Sequence, residues 1–186
     1  AKLQSVAVCS SLAPQPAPQH WWLQGWPGPQ SEVSTAIETL LSLKLITRER
    51  QTQGPALAIS GESLRRQFAS LATHHHCEKV IEILKQHVDT STVHGSLGLL
   101  LVQQDEPEEA VPYLLDGALQ AKHDLNINRA AHLYQSALQA VTPESYEYET
   151  VNLELGKILV ARGQHTEAID TFKRAGSSPR TILELA

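Results

Sequence analysis

Residues 151–175 read VNLELGKILVARGQHTEAIDTFKRA, and this stretch decides the fold. Leu153, Leu155, Ile158, Leu159 and Val160 give one broad apolar face at helical spacing. Gly163 stands where that helix stops, because glycine accepts the left-handed conformation of a helix C-terminus without steric cost. Thr166 is placed to cap a second helix, along which Ala168, Ile169 and Phe172 recur at helical spacing. The small residues Gly156 and Ala168 fall where two antiparallel helices touch most closely. The stretch therefore reads as helix, tight turn, helix.

A second copy lies upstream. Leu97, Gly98 and Leu101 repeat Leu155, Gly156 and Leu159, while Glu109, Ala110, Leu114 and Gly117 repeat Glu167, Ala168, Phe172 and Ala175. The glycine-to-alanine distance is 12 residues in both copies (98 to 110, 156 to 168). At these positions, and at Gly163, the chain resembles the tetratricopeptide repeat. The resemblance implies stacked helical hairpins, an α-solenoid whose concave wall binds a protein or peptide. On that wall the last copy presents Asn152 and Lys157 as candidate partner-binding residues. The copies are 58 residues apart (98 to 156), against a family period of about 34, so the register is irregular or one repeat is degenerate. Asp105 also replaces the usual turn glycine, and Gly117 an alanine.

Working outward, helices fill the chain from Thr73: 78–88, 92–103, 107–122, 126–140, 143–161 and 166–175, with another starting at Thr181. Pro107 suits a first helical turn, whereas Pro112 should kink its helix. The N-terminal part differs. Residues 2–9 are short and apolar, in keeping with helix or strand, and the Pro-rich run 10–18 excludes regular helix. WWLQGW (21–26) reads as either an exposed aromatic docking site or a short helix burying its rings; the second fits the energetics of aromatic side chains better. Glu32–Leu45 is an amphipathic helix with Ser31 as its cap. Strands at 45–48 and 56–60, around a turn with Gly54 and Pro55, form a hairpin, and 61–72 returns to helix. AIETLLSLKLITRE, a wing, then LAISGESLRRQF resembles the winged helix that follows the core of signal-transduction ATPases with numerous domains. EEAVPYLLDGAL and AAHLYQSALQAV resemble the helical arrays that follow it in bacterial regulators. The likeness spans about residues 33–175, without the ATPase core.

Composition narrows the function. The chain has 186 residues, 41% of them hydrophobic, with a net charge of −5 and no long charge run, which argues against DNA or RNA held mainly by charge. Two distant cysteines, Cys9 and Cys77, point to a reducing compartment, the cytoplasm. No stretch reaches the ~18 apolar residues of a membrane span. The first residue is Ala and Met is absent, so the sequence reads as part of a longer chain. No Gly-rich run ends in Lys-Ser or Lys-Thr, and no nucleophile motif is visible, so neither an enzyme nor a cofactor is expected. His74, His75 and His76 cannot converge on one ion, since successive helical residues point ~100° apart, and His74 with Cys77, which share a face, are short of the four ligands of a structural zinc. The winged helix raises DNA binding, yet residues 32–43 hold no Lys or Arg; Arg48, Arg50, Arg65 and Arg66 are the local cations.

The sequence therefore reads as mainly α, with a winged-helix-like domain at 1–72 and a tetratricopeptide-like array at 73–186. It is expected to be a non-enzymatic interaction or sensor part of a larger signalling ATPase, taking a protein or peptide partner. The alternatives are a transcription regulator that binds DNA through the winged helix and a structural self-association module. The 61–71 helix is expected to pack on the 78–88 helix, with no flexible linker between them.

Overall fold

The computed structural model describes residues 2–25, 29–51, 54–143 and 145–176. They are mainly helical, with one small antiparallel sheet, and divide into two compact units, Ala1–Ser96 and Leu97–Ala186.

The first unit holds α1 (Lys2–Leu12), β1 (Ala17–Pro18), α2 (Gln19–Gly25), α3 (Gln30–Ser42), β2 (Ile46–Gln51), β3 (Gly54–Ile59), α4 (Glu62–Ala69) and α5 (His74–Lys85). β2 and β3 pair from Ile46↔Ile59 to Gln51↔Gly54, a longer hairpin than the sequence suggests. A third strand was not foreseen: β1 joins the free edge of β3 through Ala17↔Leu57 and Pro18↔Ala56, giving the order β1-β3-β2. Proline is tolerated there because an edge strand does not need every N–H. Gln15 extends this short strand, its Oε1 accepting from the Ile59 N–H at 2.9 Å. The Pro-rich run is thus sheet and turn rather than a break, and α1 continues into its first residues because no proline occurs before Pro14.

The core of this unit is built around α1, whose residues 6–11 are all buried. It packs on α3, α4, α5 and β3. The expected meeting of the 61–71 and 78–88 helices is replaced mainly by α1, which contacts both α4 and α5. α5 lies in the first compact unit, and the two units divide between Ser96 and Leu97. Val33, Ile37 and Leu40 line the buried face of α3, as their spacing predicts, but its N-cap is Pro29 rather than Ser31. Trp21 and Trp22 are buried; Trp26 lies outside the described residues, as does the helix expected from Thr181.

α6 (Ser91–Gln103) crosses the division. The second unit continues with α7 (Pro107–His123), α8 (Ile127–Ala140), α9 (Tyr146–Ala161) and α10 (His165–Arg174). α7 continues through Pro112. Three turns here share one geometry. Asp105, Leu125 and Gly163 are left-handed, with φ of 60°, 57° and 73°. After each, the next residue's N–H bonds a carbonyl five residues back: Glu106 to Leu101, Asn126 to Ala121, Gln164 to Leu159, at 2.8–3.0 Å. This is the Schellman closure of a helix end. Counting from each turn reveals three copies rather than two. Gly98, Ala118 and Gly156 stand seven residues before it; Ala110, Ala130 and Ala168 five after; Leu114, Tyr134 and Phe172 nine after; Gly117, Ala137 and Ala175 twelve after. The hidden copy is α7–α8. Its sequence lacks the glycine markers, because Ala118 replaces the one and Leu125 the turn residue. It also overlaps its predecessor: α7 is the second helix of one hairpin and the first of the next, which accounts for the irregular register.

Candidate functional site

The repeated residues are scaffold. Leu97, Leu101, Ala110, Leu114, Leu155, Leu159, Ala168, Phe172 and Ala175 are buried, as is Gly117, and Gly163 forms an exposed turn. The two glycines mark close helix approaches. A Cβ on Gly98 would sit 2.9 Å from the Leu114 backbone nitrogen, and one on Gly156 2.5 Å from the Phe172 ring. Candidate function must therefore lie on the faces these residues leave to solvent.

The two proposed partner-binding residues fare differently. Asn152 is fully buried, its side-chain N–H donating to the Tyr148 carbonyl at 2.9 Å, and its amide oxygen has no partner. A partner cannot reach it without moving α9. Asn152 stands three, four and seven residues before Leu155, Gly156 and Leu159, and so shares their buried stripe. Lys157 is partly exposed and pairs with Glu154 one turn back, at 3.3 Å.

Glu154 ties the face together, and sequence reasoning missed it. Its second carboxylate oxygen accepts from Lys122 of α7, so two ammonium groups share one carboxylate across two helices. Burial works to raise the Glu154 carboxyl, but the Lys122 hydrogen bond and charge, followed by those of Lys157, outweigh it and hold it below the usual range. The Tyr134 hydroxyl of α8 is buried without a partner, and burial followed by the Glu154 charge raises it well above the ordinary phenol range. The Glu154–Lys157 spacing is legible in sequence as a helical pair. Lys122, 32 residues away, carries no such signal. Leu119 on α7 and Val160 on α9 lie three residues from Lys122 and Lys157 respectively, and both are exposed, at 54% and 46%.

Elsewhere the polar groups serve the fold. Of the cations considered for DNA, Arg48 pairs with Glu38 at 2.7 Å, Arg66 pairs with Glu62 at 3.2 Å, and Arg65 donates to the Ser11 carbonyl at the end of α1. His76 closes a capping box with Thr73 and reaches Ser5, while His74 and His75 share Glu78. Among the described residues no group of three or more His, Cys, Asp or Glu side chains is arranged to hold a metal ion. Cys9 and Cys77 are both buried free thiols; burial pushes Cys9 up to about 12. His87 stacks on Trp21 with ring centres 4.7 Å apart, and His20 meets both rings edge-on. No described helix is long and apolar enough to cross a membrane.

Comparison of the chain with protein-family models, with curated proteins and with solved structures finds no match.

Proposed function

We propose that this chain is a non-enzymatic interaction module, a winged-helix-like domain followed by a tetratricopeptide-like array. Its helical surface binds a protein or peptide and, within a signalling ATPase, reports that event. The observation that carries the reading is the helix-turn-helix unit that recurs three times with the same closing turn, with close helix crossings at Gly98 and Gly156. Repeated hairpins bury one continuous core and leave an extended surface open, which is the physical basis of recognition by such arrays. The order α1-β1-α2-α3-β2-β3, with the sheet order β1-β3-β2, supports the winged-helix part.

For a DNA-binding role the geometry offers little. α3 carries no cation, and Arg48, Arg65 and Arg66 already hold internal partners, whereas DNA needs cations for its phosphates. The test of the interaction reading is selection of displayed random peptides on the immobilised chain, with the binding surface mapped by amide exchange. Enriched peptides that protect α7 and α9 are expected. Selection that yields no specific binder, or binders that protect only the first unit, would refute the assignment to the array.

A further inference from the structure

We propose that the free edge of β2 takes an extended peptide as a fourth strand of the sheet, and that it selects a segment in which two acidic residues flank a basic one, as in Glu-Lys-Glu. The site lies in the first unit and does not rest on the array reading above.

In the order β1-β3-β2, one side of β2 has no neighbouring strand. The β3 side fixes which backbone groups face that edge. The Ser60 N–H, one residue past β3, donates to the Leu45 carbonyl, one residue before β2, at 3.0 Å. The Ile59 N–H is taken by Gln15 on the opposite side of β3. Pro55, paired with Arg50, has no N–H to give. Backbone groups alternate sides along an antiparallel strand, so Thr47, Glu49 and Gln51 bond β3, while the N–H and C=O of Arg48 and Arg50 point away from it. Residues 47–51 are all exposed, and among the described residues nothing bonds those outward groups. A strand laid antiparallel along this edge would exchange two hydrogen bonds with Arg48 and two with Arg50.

Side chains alternate faces in the same way, so Arg48 and Arg50 share one face and Glu49 lies on the other. Directly opposed residues of two strands share a face. The best partner therefore sets carboxylates opposite both arginines and an ammonium opposite Glu49. Arg48 pairs with Glu38, whereas Glu49 and Arg50 have no ion partner among the described residues. Glu38 is 61% exposed, so water solvates it when a second carboxylate shares Arg48.

The same pattern disfavours a second copy of this chain as the occupant. A two-fold axis between paired β2 strands sets Arg48 on Arg48, Arg50 on Arg50, or Glu49 on Glu49 with Arg48 on Arg50, according to where it is centred. Like charges directly opposite destabilise a strand pair. Charged edge strands guard against self-pairing in this way, and the guard leaves a strand of complementary pattern unopposed.

The probe is a fluorescein-labelled peptide, Thr-Val-Glu-Lys-Glu-Val-Thr, titrated with the full chain by anisotropy at fixed salt. Its control, Thr-Val-Glu-Glu-Lys-Val-Thr, has the same composition and net charge. The probe should bind at least about fivefold tighter, because the control sets two like-charge pairs in that register. N-methylation of both glutamates removes the N–H groups that the Arg48 and Arg50 carbonyls accept, and should weaken binding at least about tenfold. N-methylation of the lysine, whose N–H faces away from β2, should change it by less than about threefold. Arg50→Glu, an exposed substitution that spares the β3 ladder, should lose the probe and gain the peptide with lysine in place of the first glutamate. The Arg48 and Arg50 amides should exchange more slowly with the probe bound.

Equal binding of probe and control, or indifference to N-methylation of the glutamates, would reduce the edge to a patch of charge and overturn the proposal. So would absence of binding by a chain that circular dichroism shows to be folded. A dimer in sedimentation, with the Arg48 and Arg50 amides already slow to exchange without peptide, would give the edge to a second copy and overturn it too. None of these results bears on the displayed-peptide test of the array.

Discussion

Replacing Gly156 by alanine sets two effects of similar size against each other. A helical glycine costs about 1 kcal/mol relative to alanine, so the bare propensity change is stabilising. The added methyl, however, would lie 2.5, 2.7 and 2.8 Å from three carbons of the Phe172 ring, whereas carbon atoms rest at about 3.5–4.0 Å. The ring must retreat by roughly 1 Å, and it is 4% exposed with packed neighbours. Overpacking of this kind costs about 1–3 kcal/mol, so the net change is between about 0 and 2 kcal/mol destabilising. The informative experiment is a double-mutant cycle in urea. Phe172→Ala alone should cost about 3–5 kcal/mol. In the double variant the new methyl meets the space the ring has left, so the penalty should fall short of the sum by about 1–2 kcal/mol. Additivity within about 0.5 kcal/mol would show that the two helices do not cross at Gly156, and the hairpin reading of 151–175 would fail with it.

Gly98→Ala should cost more than Gly156→Ala, because its methyl meets the Leu114 backbone nitrogen at 2.9 Å rather than a ring that can turn; denaturation midpoints order the pair. Leu125→Gly should stabilise by up to about 1 kcal/mol, since Leu125 is 82% exposed and pays for a left-handed φ of 57° that glycine adopts freely; its thermal midpoint should rise. Glu154 is held below its ordinary range in the folded state, so its contribution is present above about pH 4.5 and fades as pH falls through the folded value; Glu154→Gln should flatten the acid side of the stability–pH curve. Cys9 and Cys77 should not react with a thiol reagent at pH 8 until urea unfolds the first unit, and rapid native-state labelling would contradict their burial.

What could be read from sequence follows from how local each signal is. Val33, Ile37 and Leu40 announced α3 because helical periodicity is a property of one segment. Gly163 announced its turn because few other residues take that conformation. Leu125 takes the same conformation against its preference, held by the local Asn126-to-Ala121 closure, so no glycine marks the turn and the α7–α8 copy is not legible in sequence. β1 was missed for a related reason: a two-residue strand made of Ala17 and Pro18 has no strand pattern, and only pairing with β3 defines it. The Lys122–Glu154 contact joins residues far apart in sequence, so no local pattern announces it.

The double duty of α7 has a consequence for how the second unit comes apart. In a row of independent hairpins, each could open at the cost of its own packing and one shared border. Here the α6–α7 crossing at Gly98 and the packing of α8 both draw on one helix, so freeing either neighbour exposes a surface that α7 cannot give up without loosening the other. Local opening should start at α10, which packs on α9, and travel inward. α7 should open last, its amides exchanging with solvent only at the free energy of losing the whole unit.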